Sequence, residues 1–249
     1  MEMMTSKKNG SVIAICVQEP SEDGSRMDLG AIKGEDLHFL HQAFITDTVA
    51  NALSIIATEV RLYHSDLQEQ KRFIAMIDDH LCKKLNGAKA QGLKDRFTTH
   101  ELSHEGWGNR IEKVFKDCFS QGYSSVLVIG SRTPTITPKM MKTALKMLKE
   151  CDAVFGPTPE GRYYIIGMSG SAQINLSELD WTSPSVYHDV AAAFTQKHLT
   201  WSELEIWYAV ESADELEFLA RDINQYRFEG DEETARETEA VMERIIARM

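Results

Sequence analysis

Cationic and hydroxyl side chains cluster near the middle of the chain, where two apolar segments end in turns. Ser131, Arg132 and Thr133 directly follow the apolar run at 126–130, and Arg162 lies in a later turn that carries Pro and Gly. A guanidinium group can bind a phosphate through two parallel hydrogen bonds, and hydroxyl groups suit a phosphate or a ribose. These residue types favour an anion-binding site, although Ser, Thr and Pro are also ordinary turn residues.

Three further side chains are candidates for the same chemistry. Glu160 could orient an acceptor or act as a general base. Arg26, in the loop after the first predicted strand, and Arg110, at the start of a predicted helix, could bind phosphate. Two of them have a structural alternative, because Glu160 could simply pair with Arg132, and Arg110 could pair with Glu112 or Glu105.

The hydrophobic pattern predicts alternating strands and helices. Such alternation is typical of a three-layer α/β/α fold with a mostly parallel sheet, in which ligands bind where the strands end. The predicted strands are 11–18, 59–64, 124–130, 153–155, 163–168 and 204–210; the predicted helices are 37–56, 68–85, 110–120, 139–149, 183–198 and 213–223; and 86–108 is predicted to be an irregular surface segment.

Composition favours one domain. The chain has 249 residues, of which 43% are hydrophobic and 26% charged, so it can bury one large core, and no stretch resembles a linker. We expect a single domain over residues 11–228. Residues 229–249 are charged with few apolar anchors, which predicts an acidic C-terminal helix that packs through one narrow stripe.

Charge and cysteine usage limit the partners and the compartment. The 38 acidic and 27 basic side chains give a net charge of −11, which disfavours nucleic acid and anionic membranes as partners. No apolar run approaches the roughly 18 residues of a membrane span, and no secretion signal is visible. The four cysteines lie far apart, which favours buried reduced thiols. We therefore expect a cytoplasmic protein.

Several common site motifs are missing from the sequence. His38 and His41 lie three residues apart, and His100 and His104 four apart, but either pair could bind zinc only if a third ligand converged on it. No Gly-x-Ser-x-Gly, P-loop or Rossmann glycine pattern is present. A hydrolase, an NTPase or a dinucleotide-binding enzyme therefore has no support from motifs.

The central segment carries a family resemblance. Residues 130–134 read GSRTP and 156–163 read GPTPEGRY, which resemble the Gly-Ser/Thr-Asp-x-Pro strand end and the Gly-Pro-x-x-Asp-Gly-Gly-Tyr turn of the GT-A-like nucleotide-diphospho-sugar transferases of the rSAM/selenodomain-associated glycosyltransferase type. Order and spacing extend the likeness over roughly residues 11–224. Residues 107–110, 181–187 and 207–216 are similar to further motifs of that family.

The resemblance implies a nucleotide-activated donor, a divalent metal and a GT-A-like fold, but several family positions are changed. Arg132 replaces the metal-binding aspartate of the strand end, and Arg162 replaces a glycine. Ala209 and Glu211 replace two further aspartates, and residues 20–29 keep a proline and a glycine but lack the phosphate-binding Lys-Thr-Arg triplet. Magnesium needs oxygen ligands, and a guanidinium group repels it. The family's metal and phosphate sites are thus degenerate in this sequence.

These changes predict a glycosyltransferase-like protein that binds a nucleotide sugar or another phosphorylated small molecule without a bound metal. Glu160 is the candidate catalytic residue, and we expect no cofactor. Whether transfer survives is open, because the alternative is an inactive binding or assembly module on the same fold. An active site requires Arg26, Arg132 and Arg162 to converge. A module would leave them splayed or paired with Glu22, Asp28 and Glu160. A homo-oligomer is compatible with either function.

Overall fold

The computed structural model describes residues 10–20, 27–82, 87–172, 174–181 and 183–248. Within them, strands and helices alternate along almost the whole chain. The strands are β1 Ser11–Cys16, β2 Thr58–His64, β3 Phe97–Glu101, β4 Ser125–Gly130, β5 Ala153–Pro157, β6 Tyr163–Ser169 and β7 Trp201–Glu203. The helices are α1 Gly34–Leu53, α2 Leu67–Met76, α3 Gly87–Lys94, α4 Trp107–Ser120, α5 Pro138–Met147, α6 Val186–Gln196, α7 Ala213–Phe228 and α8 Arg236–Ile246, with a π-helical turn at Ile77–Cys82 and a 3₁₀ turn at Leu176–Glu178.

Seven strands form one sheet in the order β3-β2-β1-β4-β6-β5-β7. β6 runs antiparallel to both of its neighbours, and the other neighbouring pairs are parallel. The carboxyl ends of β1 and β4 therefore meet at one edge of the sheet, and β6 starts there. The predicted mostly parallel sheet is confirmed.

Helices cover both faces of the sheet, because the central strands are apolar on both sides. Ile13 and Ile15 of β1 belong to one buried cluster with residues of α1, α2 and α5. Val12 and Ala14 point the opposite way, into a cluster with residues of α4 and α6. This alternation is the period of two that a strand imposes. The predicted α/β/α layering is confirmed.

The C-terminal helices form a third apolar cluster against α1. Leu219 and Ile223 of α7 and Val241 and Ile245 of α8 are buried there with Phe44 of α1. Helix α8 is thus packed against the domain by buried aliphatic side chains. No helix in the described ranges is long and apolar enough to cross a bilayer.

Two predicted segments differ from the structure. The predicted strand at 204–210 is wrong, since the ladder of β7 covers only Trp201–Glu203. The residues that follow β7 instead cross the carboxyl edge of the sheet, where Leu204 N donates to Phe155 O, Trp207 N to Pro157 O and Val210 N to Arg132 O. Aromatic and β-branched residues gave this stretch the composition of a strand, but its hydrogen bonds go to strand ends and loops.

The predicted irregular segment at 86–108 contains a helix, α3, and an edge strand, β3, which pairs with β2 in parallel. Strand β3 reads FTTHE and is only partly buried, so it lacks the apolar run that identifies a central strand. Polar residues on an edge strand are expected, because one side of that strand faces solvent. The sequence pattern therefore did not predict the edge strand β3.

Candidate functional site

A cavity of about 680 Å³ opens at the edge of the sheet where β1 and β4 end and β6 begins. Its walls come from the strand-end residues, from the first turn of α4 and from the segment after β7. This is where an open α/β sheet normally binds its ligand. Five of the predicted binding residues line it: Arg110, Ser131, Arg132, Thr133 and Arg162.

Arg132 and Arg162 converge on one carboxylate. Arg132 Nη1 lies 3.1 Å from Glu211 Oε1, and Arg162 Nη1 lies 3.1 Å from Glu211 Oε2. The Arg132 side chain is 7% exposed, while those of Arg162 and Glu211 are 23% and 27% exposed. Each oxygen of Glu211 thus accepts one charge-assisted hydrogen bond at the wall of the cavity.

The backbone explains this arrangement. Val210 N donates to Arg132 O at 2.8 Å, and Asp28 N donates to Glu211 O at 2.8 Å. Ser212 then caps α7 in a reciprocal capping box with Glu215. Glu211 is therefore held between a strand end and the start of a helix, where the helix dipole favours a negative charge.

Glu160 lies apart from the large cavity. It is exposed, and it lines a smaller cavity of about 40 Å³ that shares Arg162 and Glu211 with the larger one. The two arginines bind Glu211, and the pairing of Arg132 with Glu160 that the sequence suggested is not among the contacts of the described residues.

Gly161 is the glycine on which this turn depends. It has φ 76°, and a Cβ there would collide with the carbonyl oxygen of Pro184. Arg162 does not have a positive φ, so its backbone tolerates a side chain at the position where the resembling family has a second glycine. The replacement adds a guanidinium group to the cavity wall without backbone strain.

The remaining predicted residues have mixed environments. Thr133 and Ser131 are 1% and 2% exposed, and Ser131 Oγ lies 2.9 Å from His41 Nε2. Arg110 Nε donates to the carbonyl oxygen of Glu105 at 2.7 Å, where the sequence had suggested pairing with a nearby acid. Arg26 lies outside the described residues.

The positive charge of the cavity is local. Three arginines line it, but so do three carboxylates, those of Glu105, Asp180 and Glu211. The formal charge of the lining is therefore balanced. The end that carries Arg132 and Arg162 holds two cations against one acid, which makes it the end that fits an anionic group.

Aromatic side chains form the other wall. Trp107 Nε1 donates to Tyr163 Oη at 2.9 Å, and the rings of Tyr163 and Trp181 meet edge to face with centroids 5.4 Å apart. A Cβ on Gly108 would collide with the Trp181 indole, so this close packing requires glycine at that position. From the sequence, these tryptophans were expected only to pack helices on the sheet, and the one signal for a place in the cavity was their position in motifs of the resembling family.

A divalent metal does not fit the residues at the strand end. Arg132 and Ala209 provide no carboxylate, and both oxygens of Glu211 already accept from guanidinium groups. Across the described ranges, no group of three or more His, Cys, Asp or Glu side chains could hold a metal ion. A cation at this position would also be repelled by the two arginines.

Comparison with solved structures identifies the fold. A protein from Desulfovibrio desulfuricans G20, described as a candidate nucleotide-diphospho-sugar transferase, superposes with a TM-score of 0.75 at 20% identity over 95% of each chain. The fold is that of the nucleotide-diphospho-sugar transferases. This result confirms the fold that the resemblance of residues 130–134 and 156–163 implied.

More distant structures share the same fold. A CMP:2-keto-3-deoxy-manno-octonic acid synthetase in complex with CTP has a TM-score of 0.53 at 13% identity, over 87% of this chain and 99% of that one. A 4-diphosphocytidyl-2C-methyl-D-erythritol synthase from Anaerococcus prevotii DSM 20548 has a TM-score of 0.50 at 14% identity, over 88% and 98%. At these identities the comparisons establish the nucleotide-diphospho-sugar transferase fold alone.

The family model matches a shorter part of the chain than the solved structures do. The model of the family DUF2064, described as an uncharacterized protein conserved in bacteria, matches residues 68–183. That range includes β4, β5 and β6 and therefore Arg132 and Arg162. A search of the curated proteins finds no match.

Proposed function

We propose that this nucleotide-diphospho-sugar transferase fold binds a nucleotide-activated donor or another phosphorylated small molecule without a bound metal, and that its transfer activity is weak or lost. The observation that carries the proposal is the convergence of Arg132 and Arg162 on the two oxygens of Glu211. Two guanidinium groups that already hold one carboxylate have the spacing and direction needed to hold a phosphate.

The position of the arginine pair supports the same function. It lies at the carboxyl edge of the sheet, in a cavity large enough for a small molecule. One structural relative was determined in complex with CTP, so a nucleotide is a reasonable first ligand. Arg110 lines the same cavity and would add a third cation.

The carboxylate of Glu211 lowers the expected affinity of the arginine pair for a phosphate. An incoming phosphate must displace its carboxylate from the arginines or share them with it, and the free carboxylate would then repel the ligand. Binding is therefore expected to be weaker than two arginines alone would give. It should also weaken as salt screens the exposed side of the pair.

The loss of oxygen ligands argues against efficient transfer. A departing nucleoside diphosphate needs its developing charge stabilised, and related chemistry uses a metal ion together with cationic side chains. Here Arg132 and Arg162 would be the compensating charges. Glu160, the predicted catalytic carboxylate, is exposed and lines only the smaller cavity, so we assign it at most a role in orienting an acceptor.

The test is a thermal-shift and calorimetry screen of nucleotides, nucleotide sugars and pyrophosphate, with Mg²⁺ and with EDTA. A ligand at 100 times its dissociation constant should stabilise the protein by about 2.7 kcal/mol. We expect binding that EDTA does not change, and a loss of about 10- to 100-fold in Arg132→Ala. Arg221→Ala, which removes an exposed arginine of α7, is the matched control. Turnover of a nucleotide sugar that EDTA abolishes would overturn the proposal.

The second candidate is an inactive binding or assembly module. The observation that favours it is the balanced charge of the cavity lining, in which Glu211 already neutralises part of the arginine pair. In that case no anion in the screen should bind, and Arg132→Ala should lower only the melting temperature. The same screen therefore separates the two functions.

A further inference from the structure

A second group of polar side chains lies beside the arginine pair, where β4, α1 and the loop after β1 meet. Ser131 Oγ lies 2.9 Å from His41 Nε2, and His41 Nδ1 lies 3.9 Å from Glu19 Oε2. A hydroxyl, an imidazole and a carboxylate in this order are the arrangement that activates serine nucleophiles, and it is recognised by geometry, whatever the order in the chain.

One tautomer of His41 suits proton transfer from Ser131. Gln18 N donates to Ser131 Oγ at 3.3 Å, and when His41 Nε2 carries no proton, the Ser131 hydroxyl can donate to it. The N–H of His41 is then at Nδ1, a buried atom that makes no hydrogen bond within the described residues and lies 3.9 Å from Glu19 Oε2. This is the tautomer in which an imidazole can accept a proton from serine.

A second imidazole lies against Glu19. Asp66 N donates to His64 Nδ1 at 2.9 Å, so the proton of a neutral His64 lies at Nε2, which is 3.0 Å from Glu19 Oε1. The other oxygen of Glu19 lies on the side of His41, 3.9 Å from Nδ1. Burial would raise the pKa of Glu19, but the contact with His64 outweighs it, and the pKa is lowered. Glu19 is therefore an anion at neutral pH.

His41 is a neutral, buried base. It is fully buried, burial lowers its pKa to about 3, and the charge of Arg132 contributes in the same direction. An imidazole in this state can accept a proton but is weakly basic. It is therefore suited to reactions with strongly electrophilic groups and to slow turnover.

Access comes from the cavity. Ser131 is 2% exposed, and it lines the 680 Å³ cavity next to Arg132. A small molecule held by Arg132 through an anionic group would thus place its neighbouring atoms near Ser131 Oγ. Nearby Cys16 cannot replace the serine, because burial raises the pKa of its thiol far above the physiological range.

We propose that Ser131 is a nucleophile toward activated carboxylic esters, those with a good leaving group, that also carry an anionic group, with His41 as its general base and Glu19 as the residue that positions His41. Ser131 Oγ forms a bond to the ester carbonyl carbon, and its proton passes to His41 Nε2. The bond from that carbon to the alcohol oxygen breaks, and the alcohol leaves with the proton from His41. Water then reverses the sequence and releases the acid, so no other reactant is needed.

The experiment is labelling of the full chain with a fluorophosphonate probe, followed by intact mass measurement and peptide mapping. We expect one adduct, on the peptide that contains Ser131, and none in Ser131→Ala. His41→Gln should slow labelling by about 100-fold, the usual contribution of a general base. Ser177→Ala removes another serine of the same cavity and should label at the wild-type rate.

Glu19 is tested by conservative rescue. Glu19→Gln should slow labelling by about 10-fold, and Glu19→Asp should restore most of the rate at an unchanged melting temperature, because only the carboxylate directs His41. If Glu19 had only a structural role, Glu19→Gln and Glu19→Asp would be labelled at the same rate.

Three results would overturn the proposal: an unlabelled wild type beside a labelled serine hydrolase, an adduct on another residue, or an undiminished rate in His41→Gln. Mapping of the wild-type adduct decides the matter even if Ser131→Ala fails to fold.

Discussion

Glu211 and Asp47 are two carboxylates that attach C-terminal segments to the domain, and they do so with opposite kinds of partner. Glu211 accepts from the guanidinium groups of Arg132 and Arg162 at the cavity. Asp47, on α1 and away from the cavity, accepts from Glu237 N at 3.0 Å, from Thr238 N at 2.8 Å and from Thr238 Oγ1 at 2.6 Å. Charged side chains hold Glu211, whereas backbone amides and a hydroxyl group at the start of α8 hold Asp47.

This difference in partners determines whether a ligand can displace each carboxylate. Guanidinium groups bind a phosphate as well as a carboxylate, so a ligand can compete with Glu211. The backbone amides at the start of α8 are buried against α1, and Asp47 is 4% exposed, so no ligand reaches them. A carboxylate held by arginines in a cavity therefore indicates a binding site, whereas one held by buried amides indicates a structural contact.

The ionisation of Asp47 shows the cost of the structural contact. Burial raises the pKa of Asp47 to about 6, although the hydrogen bonds from Thr238 and Glu237 act in the opposite direction. The contact between α1 and α8 is thus made partly at the expense of a buried charge. The stability that this contact contributes should therefore depend on pH. Glu211 is expected to matter for the affinity of a ligand.

The largest expected effect is the removal of α8. A chain that ends at Phe228 loses the buried Val241 and Ile245 and leaves Asp47 without its amides. Two buried aliphatic side chains contribute about 3–6 kcal/mol, and an unsatisfied buried acceptor costs roughly 1–3 kcal/mol. We expect a loss of about 4–9 kcal/mol in urea unfolding. A chain that ends at Ile246 keeps α8 and serves as the control; a loss under about 2 kcal/mol in the shorter chain would contradict the structural role.

The next largest effect is expected on ligand affinity at the site of Arg132, Arg162 and Glu211. Arg132→Asp should reduce affinity for pyrophosphate by more than about 100-fold without metal, because it removes one guanidinium group and adds a charge that repels the ligand. It also places a second carboxylate near Glu211. If the rest of the cavity still suits a metal, calorimetry should show Mg²⁺-dependent nucleotide binding in the variant and metal-independent binding in the wild type. An unchanged metal-free affinity would show that the ligand binds elsewhere.

The sequence predicted the fold, and it singled out residues that line one cavity, because the pattern at the strand ends is local. Each buried strand has its own apolar run, and Ser131, Arg132 and Thr133 follow β4 directly. Most of the residues 130–134 that carried the family resemblance line the cavity. Strand β3 escaped prediction because an edge strand need not be apolar.

The partners of these residues were less predictable, because they come from distant parts of the chain. Glu211 was recognised as the one oxygen left near the replaced metal ligands, but nothing local indicated that Arg132 and Arg162 would both bind it. Likewise, Glu19 looked like the end of β1, and its approach to His41 and His64 depends on how α1 and β2 pack. Such contacts follow from the tertiary arrangement.

A smaller effect should appear in the pH dependence of Asp47→Asn. The folded-state pKa of Asp47 is raised, so its stabilising contribution is fully present below about pH 4 and is lost as pH rises through about 6. A folded-state pKa that lies about two pH units above the unfolded-state pKa corresponds to about 3 kcal/mol. The stability of Asp47→Asn relative to the wild type should therefore rise by up to about 3 kcal/mol between about pH 4 and pH 7. A difference that stays constant with pH, measured by urea unfolding, would show that Asp47 does not titrate in this range.

The smallest effect, and the one that separates the two carboxylates most directly, is that of Glu211→Gln. The amide keeps one acceptor for the arginines but removes the negative charge with which a phosphate must compete, so affinity for pyrophosphate should rise by about 10-fold at low salt. The gain should shrink as salt increases, because the pair is partly exposed. Glu160→Gln removes a charge from the smaller cavity alone and should change affinity less than about twofold. Calorimetry of both variants at two salt concentrations decides whether Glu211 competes for the arginines: weaker binding in Glu211→Gln would mean that this carboxylate, like Asp47, holds structure in place.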